Sequence, residues 1–238
     1  MELDPYAERR SNWLEVETGK PGQSIDRLAS ANVAVIVREG CTAKAGPGGL
    51  AYAGAKGNAT SLAKVERYGV AICGNEGTAE GGAGCVVFAY DGGTATGGDG
   101  AVAIARRGGG GASCGVHGIA SALDANATAT RPASVAIVRR QNGGKGGAQV
   151  VAQVESGGVA IARDYLPKAL RPALAKAAAG AIAIAFENNL VWGEVGALLV
   201  GTYVAGGQTR FVAAMVDGKE IRARTPYRVD ENGRFVTA

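Results

Sequence analysis

A short apolar sequence recurs along this chain at almost regular intervals. The runs that start at Val86, Ala101, Gly118 and Ser134 are spaced 15, 17 and 16 residues apart. A near-constant period indicates a repeat architecture, in which each unit buries its apolar side only by stacking on the next unit. The clearest copies are GVAICGN from Gly69, GAVAIARR from Gly100, SVAIVRR from Ser134, GVAIARD from Gly158 and GAIAIAFE from Gly180.

Weaker alternating runs lie between the strong ones. Examples are GTAEGGAG from Gly77 and GTATGG from Gly93. Small residues alternating with polar ones indicate a short half-buried strand, and the flanking glycines indicate turns. Each period therefore holds two strands, and stacked periods form two parallel sheets. The predicted fold is an all-β parallel β-solenoid, a β-roll with two short strands per coil of about 16 residues.

The composition predicts a thin core. Hydrophobic residues make up 47% of the chain, aromatic residues only 5%, and there are 39 glycines. The apolar content is therefore mostly Ala and Val. Because side chains alternate along a strand, either Ala103 or Ile104 of the run AVAIA points into this core.

The repeat pattern changes at both ends of the chain. Residues 1–32 lack it, and SIDRLASA predicts a short helix with Ser24 as its N-cap. From residue 198 onward, longer alternating runs joined by Gly-containing turns predict antiparallel strands. The predicted organisation is an N-terminal cap at 1–32, a β-solenoid at 33–197 and a C-terminal antiparallel β-meander cap at 198–238.

Two longer spacings mark insertions into the coils. One contains QNGGKGGAQ, around Gly143, and the other contains DYLPKALRPAL, around Leu166. Inserted loops on repeat scaffolds often form the binding face, and they are equally common as surface bulges. Both insertions are predicted to project from the same region of the solenoid.

The repeats resemble known families. SVAIV, GVAIA and AVAIARRGGGGAS are similar to the repeats of trimeric autotransporter adhesin heads, which form left-handed parallel β-rolls. AKAAAGAIAIAFENNLVWGEVGALLV and FVAAMVDGKEIRARTPYRVDENGRFV resemble an uncharacterised bacterial and phage-associated family. That family combines GAASATG-type coils with a C-terminal strand, a VDG turn, and a further strand ending in a tyrosine before an ENG-type turn. Together the resemblances imply a β-solenoid over roughly Val33 to Val236 and no catalytic residue.

The candidate chemical groups do not form a convincing active site. His117 lies near Cys114, and a Cys–His pair is the minimum for a thiol nucleophile, but no acid partner accompanies it. The acidic residues fall at different turns, and the calcium-repeat spacing is absent. The cysteines, which have no CxxC pair, are predicted to be reduced, buried apolar residues. We therefore expect no enzyme activity, cofactor or metal.

Arginines recur at one position of the repeat, directly after the apolar run. Equivalent positions in consecutive coils stack, so these side chains are predicted to rise along one corner of the solenoid. The row is either a binding stripe for an acidic partner or a solvated edge that prevents sheet-to-sheet aggregation. The candidate partner-binding residues are Arg38, Arg106, Arg107, Arg139, Arg140 and Arg163.

Charge and the N-terminal sequence bound the function. A net charge of +4 allows an acidic partner and makes nucleic acid an improbable one. MELDPYAERRSNWLEVE has no apolar run, which predicts a cytoplasmic protein with no membrane partner. Two functions follow as hypotheses. The first is a non-enzymatic protein-binding solenoid of the immunity or toxin-neutralising type, and the alternative is a phage-derived or adhesin-like structural module that assembles into a homo-oligomer.

Overall fold

A computed structural model describes residues 15–20, 23–37, 40–54, 61–106, 110–129, 131–140, 149–164 and 172–238, with the side chains from residue 17 onward. All regular elements in these residues are β-strands. In chain order they are β1 (Glu15–Thr18), β2 (Ile25–Arg27), β3 (Val33–Val37), β4 (Thr42–Ala45), β5 (Leu50–Ala53), β6 (Leu62–Val65), β7 (Val70–Cys73), β8 (Thr78–Gly81), β9 (Val86–Ala89), β10 (Thr94–Gly97), β11 (Val102–Arg106), β12 (Gly111–Cys114), β13 (Ile119–Leu123), β14 (Asn126–Ala129), β15 (Val135–Arg140), β16 (Val151–Val154), β17 (Val159–Asp164), β18 (Leu174–Ala177), β19 (Ile182–Ala185), β20 (Leu190–Gly193), β21 (Leu198–Ala205), β22 (Gln208–Met215), β23 (Tyr227–Val229) and β24 (Phe235–Thr237).

The strands form two sheets, and the chain alternates between them from β1 to β21. Sheet A is 12-stranded and contains the odd-numbered strands from β1 to β21, followed by β22. Sheet B is also 12-stranded and contains the even-numbered strands from β2 to β20, followed by β23 and β24. Strands of consecutive coils pair in parallel, as for β9 with β11 and β8 with β10. The predicted parallel β-solenoid with two short strands per coil is confirmed.

The core between the sheets is built mainly from alanine. On sheet B, one inward column runs in register from Ala43 to Ala175 and consists of alanine in every coil between them. The matching column of sheet A includes Ala103, which is fully buried between Val87 and Ala120 of the neighbouring coils. Larger side chains occupy this column at Val35, Val87 and Leu199. Small inward side chains let the two sheets approach closely, which is the thin core predicted from composition.

One turn position explains part of the glycine content. The residue two places before each strand of sheet A has a positive φ in coil after coil, at Gly84, Gly100, Gly157 and Gly180. His117 occupies the same position with φ 55°. Glycine adopts this left-handed conformation without the steric cost of a Cβ atom, so it is the most frequent residue at this turn, although Tyr68 and Ala133 also occupy it.

The N-terminal region departs from the sequence-based prediction. SIDRLASA does not form a helix: Ile25–Arg27 is strand β2, and it pairs in parallel with β4. The Ser24 hydroxyl accepts a hydrogen bond from Thr42 N at 3.0 Å rather than capping a helix, and Ile25 points into the core. Since β1 also pairs in parallel with β3, the coils begin within the region assigned to the cap. Pairing with the next coil overrides a weak local helix preference here.

The C-terminal region changes from parallel to antiparallel pairing. β21 is parallel to β19 on one side and antiparallel to β22 on the other. β23 pairs antiparallel with both β20 and β24. Val216 and Tyr227 are buried at this end of the core. The chain from Leu198 onward therefore contributes the last strand of the parallel stack and takes part in three antiparallel pairings.

Candidate interaction surface

The repeated VAI sequence places its smallest residue inside and its larger residues outside. In β11, Ala103 is fully buried, whereas Val102 and Ile104 are partly exposed on the opposite side of the sheet. The same alternation occurs in β7, β15 and β17. The branched side chains of these repeats therefore lie on the outside of sheet A and not in the core.

These outward residues form two continuous rows, which we call the apolar face. Each member lies in register with its counterpart in the next coil. Neighbouring side chains therefore contact one another along the sheet, while their outer surfaces stay exposed to solvent. Val86 is 43% exposed, and Ile119 is 39% exposed. One row is Leu50, Val70, Val86, Val102, Ile119, Val135, Val159, Ile182 and Leu198, and the other is Tyr52, Ile72, Phe88, Ile104, Ser121, Ile137, Ile161, Ile184 and Val200.

The outside of sheet B has the opposite character. Its row in register runs Asp26, Lys44, Lys64, Glu80, Thr96, Ser113, Thr128, Gln153, Lys176 and Trp192. Ion pairs join its charges, with Lys64 Nζ 2.9 Å from Glu80 Oε2. A groove of about 240 Å³ lies at its C-terminal end, where Lys176 Nζ sits 5.5 Å from the Trp192 ring centroid. This row of sheet B is therefore mostly polar, whereas both outward rows of sheet A are mostly apolar.

Three of the predicted arginines lie at the margin of the apolar face. Arg106, Arg139 and Arg163 are exposed and project to the outside of sheet A, at the ends of β11, β15 and β17. They share one row in register, with Leu123 between Arg106 and Arg139. Arg163 Cζ lies 5.5 Å from the Phe186 ring centroid, a cation–π contact in the next coil. The row is therefore a mixed cationic and apolar margin.

Arg140 does not belong to this exposed row, contrary to the prediction. Arg140 is only 6% exposed. Strand β15 extends as far as Arg140, and the alternation of side chains along the strand places this one on the inner side of the sheet. Its partner in register is Asp164, which is also buried. Opposite charges on neighbouring buried positions reduce the cost of desolvating each one. Arg38 and Arg107 lie outside the described residues.

The cysteines and histidine do not form a nucleophilic pair. Cys114 points into the core, where burial raises the pKa of its thiol to about 11, and His117 is exposed on a turn. A thiol with this pKa is protonated at neutral pH and is a poor nucleophile. All four cysteines are buried and none of them forms a disulfide, as predicted. Among the described residues, no group of three or more His, Cys, Asp or Glu side chains is arranged to hold a metal ion.

The inserted loops predicted around Gly143 and Leu166 lie outside the described residues. Among the described residues there is no helix long and apolar enough to cross a membrane. The chain matches no family model, no curated protein and no solved structure. The family resemblance drawn from its repeats stays a prediction.

Proposed function

We propose that the protein is a structural module that assembles with copies of itself through the apolar face of sheet A. The observation that carries the proposal is the contrast between the two outer surfaces. Both rows of the apolar face are free of charged side chains from β5 to β21, and Ser121 is their one serine. One outward row of sheet B carries charges at Lys64, Glu80 and Lys176 over the same coils, and at Asp26 and Lys44 in the two coils before them. A sheet surface that faces water normally carries polar side chains, and a large exposed apolar surface marks an interaction site.

The apolar face is large enough to support a specific interface. Strands about 4.8 Å apart and about four residues long give a surface of about 38 by 13 Å from β5 to β21, or about 500 Å² per copy. A pair of copies would bury about 1,000 Å², which is the size at which specific interfaces begin. The margin residues Tyr90, Leu123 and Phe186 extend this area at the strand ends. Packing of one sheet on another is also how flat apolar β-surfaces are normally covered.

Charges at the strand ends favour a second copy as the occupant. When two copies face each other with their long axes in the same direction, the end of each strand lies opposite the start of the partner's strand. β11 starts after Asp99 and ends at Arg106, and β17 starts after Glu155 and has Arg163 as its next-to-last residue. Each arginine would then approach an acidic residue of the other copy. β7 has the reversed signs, with Arg67 before it and Glu76 three residues after its end, whereas β15, with Arg131 and Arg139, does not fit this pattern.

Charge insertion on the apolar face tests the proposal. The variant Val86→Lys/Ile119→Lys puts two charges into the interface, and Thr94→Lys/Asn126→Lys puts the same charges on the outside of sheet B in the following strands. All four positions are exposed, so both variants should fold. Sedimentation velocity should show an oligomer for the wild type and the sheet B variant, and a smaller species for the sheet A variant. A monomeric wild type, or equal masses for all three, would exclude assembly through this face.

A second candidate is binding of an acidic protein partner, as in an immunity-type neutraliser. The observation in its favour is the alignment of Arg106, Arg139 and Arg163 in one exposed row beside an apolar surface. Charge reversal of all three to Glu should slow association with an acidic partner, and raising the salt concentration should weaken the wild-type interaction. The readout is capture of a partner from the source cells by the wild type and not by the triple variant.

A further inference from the structure

The four edges of the two sheets differ in how well they are protected. Sheet A ends at β1, which has four residues including Glu15 and Glu17. Sheet B ends at β2 and β24, which have three residues each. Short or charged edge strands discourage pairing with other chains. β22 is different: it has eight residues, its sequence is QTRFVAAM, and six of its residues are exposed.

The turn that leads into β22 determines which backbone groups face outward. Gly206 and Gly207 both have positive φ, at 61° and 75°, and connect Ala205 to Gln208 as a two-residue type I′ hairpin. In such a hairpin the residues flanking the turn form a hydrogen-bonded pair, and hydrogen-bonded and non-hydrogen-bonded pairs then alternate. Gln208, Arg210, Val212 and Ala214 therefore bond to β21. The amide and carbonyl groups of Thr209, Phe211, Ala213 and Met215 point away from it, toward the open edge.

We propose that β22 pairs antiparallel with β22 of a second copy, across a two-fold axis at Val212. Within the described residues β22 is hydrogen-bonded only to β21, so its outer edge is available. A symmetric pairing centred on Val212 places Phe211 opposite Ala213 of the other copy and Thr209 opposite Met215. All four outward residues then find hydrogen-bonded partners, giving about eight interchain bonds. Shifting the axis by one residue to Phe211 or Ala213 leaves one of the four without a partner.

Side-chain size and charge fit the same register. Phe211 is 63% exposed, and the small Ala213 beside it leaves room for the partner's ring. The strand's one charged residue, Arg210, lies opposite Ala214 of the other copy, so the two arginines are not paired. Like charges placed directly opposite each other would destabilise the pair. The fit of side-chain size and charge in this register favours a second copy of this strand as the occupant.

This contact is independent of assembly through the apolar face. Edge pairing joins two A sheets end to end, whereas the proposed assembly stacks A sheets face to face. Met215 and Phe211 lie on the same side of the sheet as Leu198, which pairs with Met215 in register, so edge pairing also extends the apolar face across the two copies. Each contact can be removed without touching the residues of the other.

A cysteine at the axis tests the register directly. In Val212→Cys, two copies of the new thiol would face each other at a non-hydrogen-bonded position, where Cα atoms are about 4.5 Å apart and a disulfide can form. Ala214→Cys is the matched control on the same side of the strand, and its two copies would be about 13 Å apart along the strands. The native cysteines are buried and should not compete. Mild oxidation should crosslink the Val212 variant alone; crosslinking of both variants or of neither would overturn the proposal.

Removal of one outward amide tests the hydrogen bonding. Ala213→Pro deletes an N–H that faces the open edge and leaves the bonds to β21 in place, while Ala213→Ser keeps that N–H and a small side chain. Native mass measurement should show a two-fold smaller assembly for the proline variant and an unchanged one for the serine variant. Equal masses for both variants and the wild type would overturn edge pairing. The variant Val86→Lys/Ile119→Lys leaves the β22 contact intact. A dimer that persists in this variant would show that β22 pairing does not depend on assembly through the apolar face.

Discussion

Ala103→Asp is the perturbation that most directly tests the alanine core. Ala103 has no exposed surface, and its partners in register are Val87 and Ala120 in the coils on either side. All three belong to one cluster of buried apolar residues. A carboxylate introduced there would lie in the layer between two sheets, with no room to reach solvent along the strand.

The expected cost follows from neutralising and burying the new side chain. Keeping an Asp with an ordinary pKa near 3.9 protonated at pH 7 costs about 4 kcal/mol. An unpaired buried carboxyl group adds about 1–3 kcal/mol, and overfilling a close-packed site adds about 1–3 kcal/mol. The total, about 6–10 kcal/mol, is comparable with the whole stability of an ordinary domain. Ile104→Asp, one residue along on the outer side of β11, avoids the burial and should cost far less.

The pH dependence separates charge burial from lost packing. Burial raises the folded-state pKa of the new Asp above its unfolded value, so the variant is least destabilised below about pH 4. It should then lose about 1.4 kcal/mol per pH unit, relative to the wild type, as the pH rises toward the raised pKa. Ala103→Asn has a similar size and no such titration. Urea unfolding followed by circular dichroism at pH 5, 6 and 7 measures this slope, and equal pH profiles for the Asp and Asn variants would refute the buried assignment.

Two further predictions concern individual groups. Burial raises the pKa of the Cys73 and Cys114 thiols to about 11. Both thiols should therefore resist alkylation at pH 8 in the folded protein, and in urea they should react at the rate of unfolding. Rapid labelling without denaturant would contradict this. Asp217 accepts hydrogen bonds from Lys219 N at 2.9 Å and Ile221 N at 3.0 Å, and the first of these is the main cause of its lowered pKa. A lowered folded-state pKa stabilises the fold above the unfolded pKa, and this effect is lost as the pH falls through the folded-state pKa. Asp217→Asn should therefore be more destabilising at pH 7 than at pH 3 in thermal unfolding; an effect equal at both pH values would show that the carboxylate charge is not involved.

The coil architecture was predictable because its sequence signal is repeated. The run after Gly100 is ambiguous by itself, since a few apolar residues suit a strand or a buried helix equally. Five similar runs separated by Gly-rich turns remove that ambiguity. The outermost coil lacks this support, so the local pattern of SIDRLASA predicts a helix, and this prediction is wrong. In the structure, Ile25 lies in the same inward column as Ala43. A terminal coil has one neighbour, so its sequence is less constrained by the repeat.

The arginine row was predictable only to within one residue. Adjacent positions on a strand point to opposite sides, so Arg139 is exposed and Arg140 is buried although both follow the same SVAIV run. The sequence does not mark where β15 ends, and its extension to Arg140 decides the orientation of that side chain. The pairing of Arg140 with Asp164 depends on a second extended strand, β17, which is equally unmarked.

The orientation of the VAI repeat could not be read from the sequence because both sides of the strand are apolar. Alternation identifies the buried side when polar residues mark the other, as on sheet B, where Ala79 is inside and Glu80 outside. On sheet A, Ala alternates with Val or Ile, and the usual expectation would bury the larger residue. The alanine column of sheet B decides the matter: two sheets packed on alanine lie too close to admit Ile104 or Ile161 between them. The larger residues of the VAI repeats therefore face outward in β7, β11, β15 and β17, and this constraint of the core creates the uncharged surface through which we propose that the copies assemble.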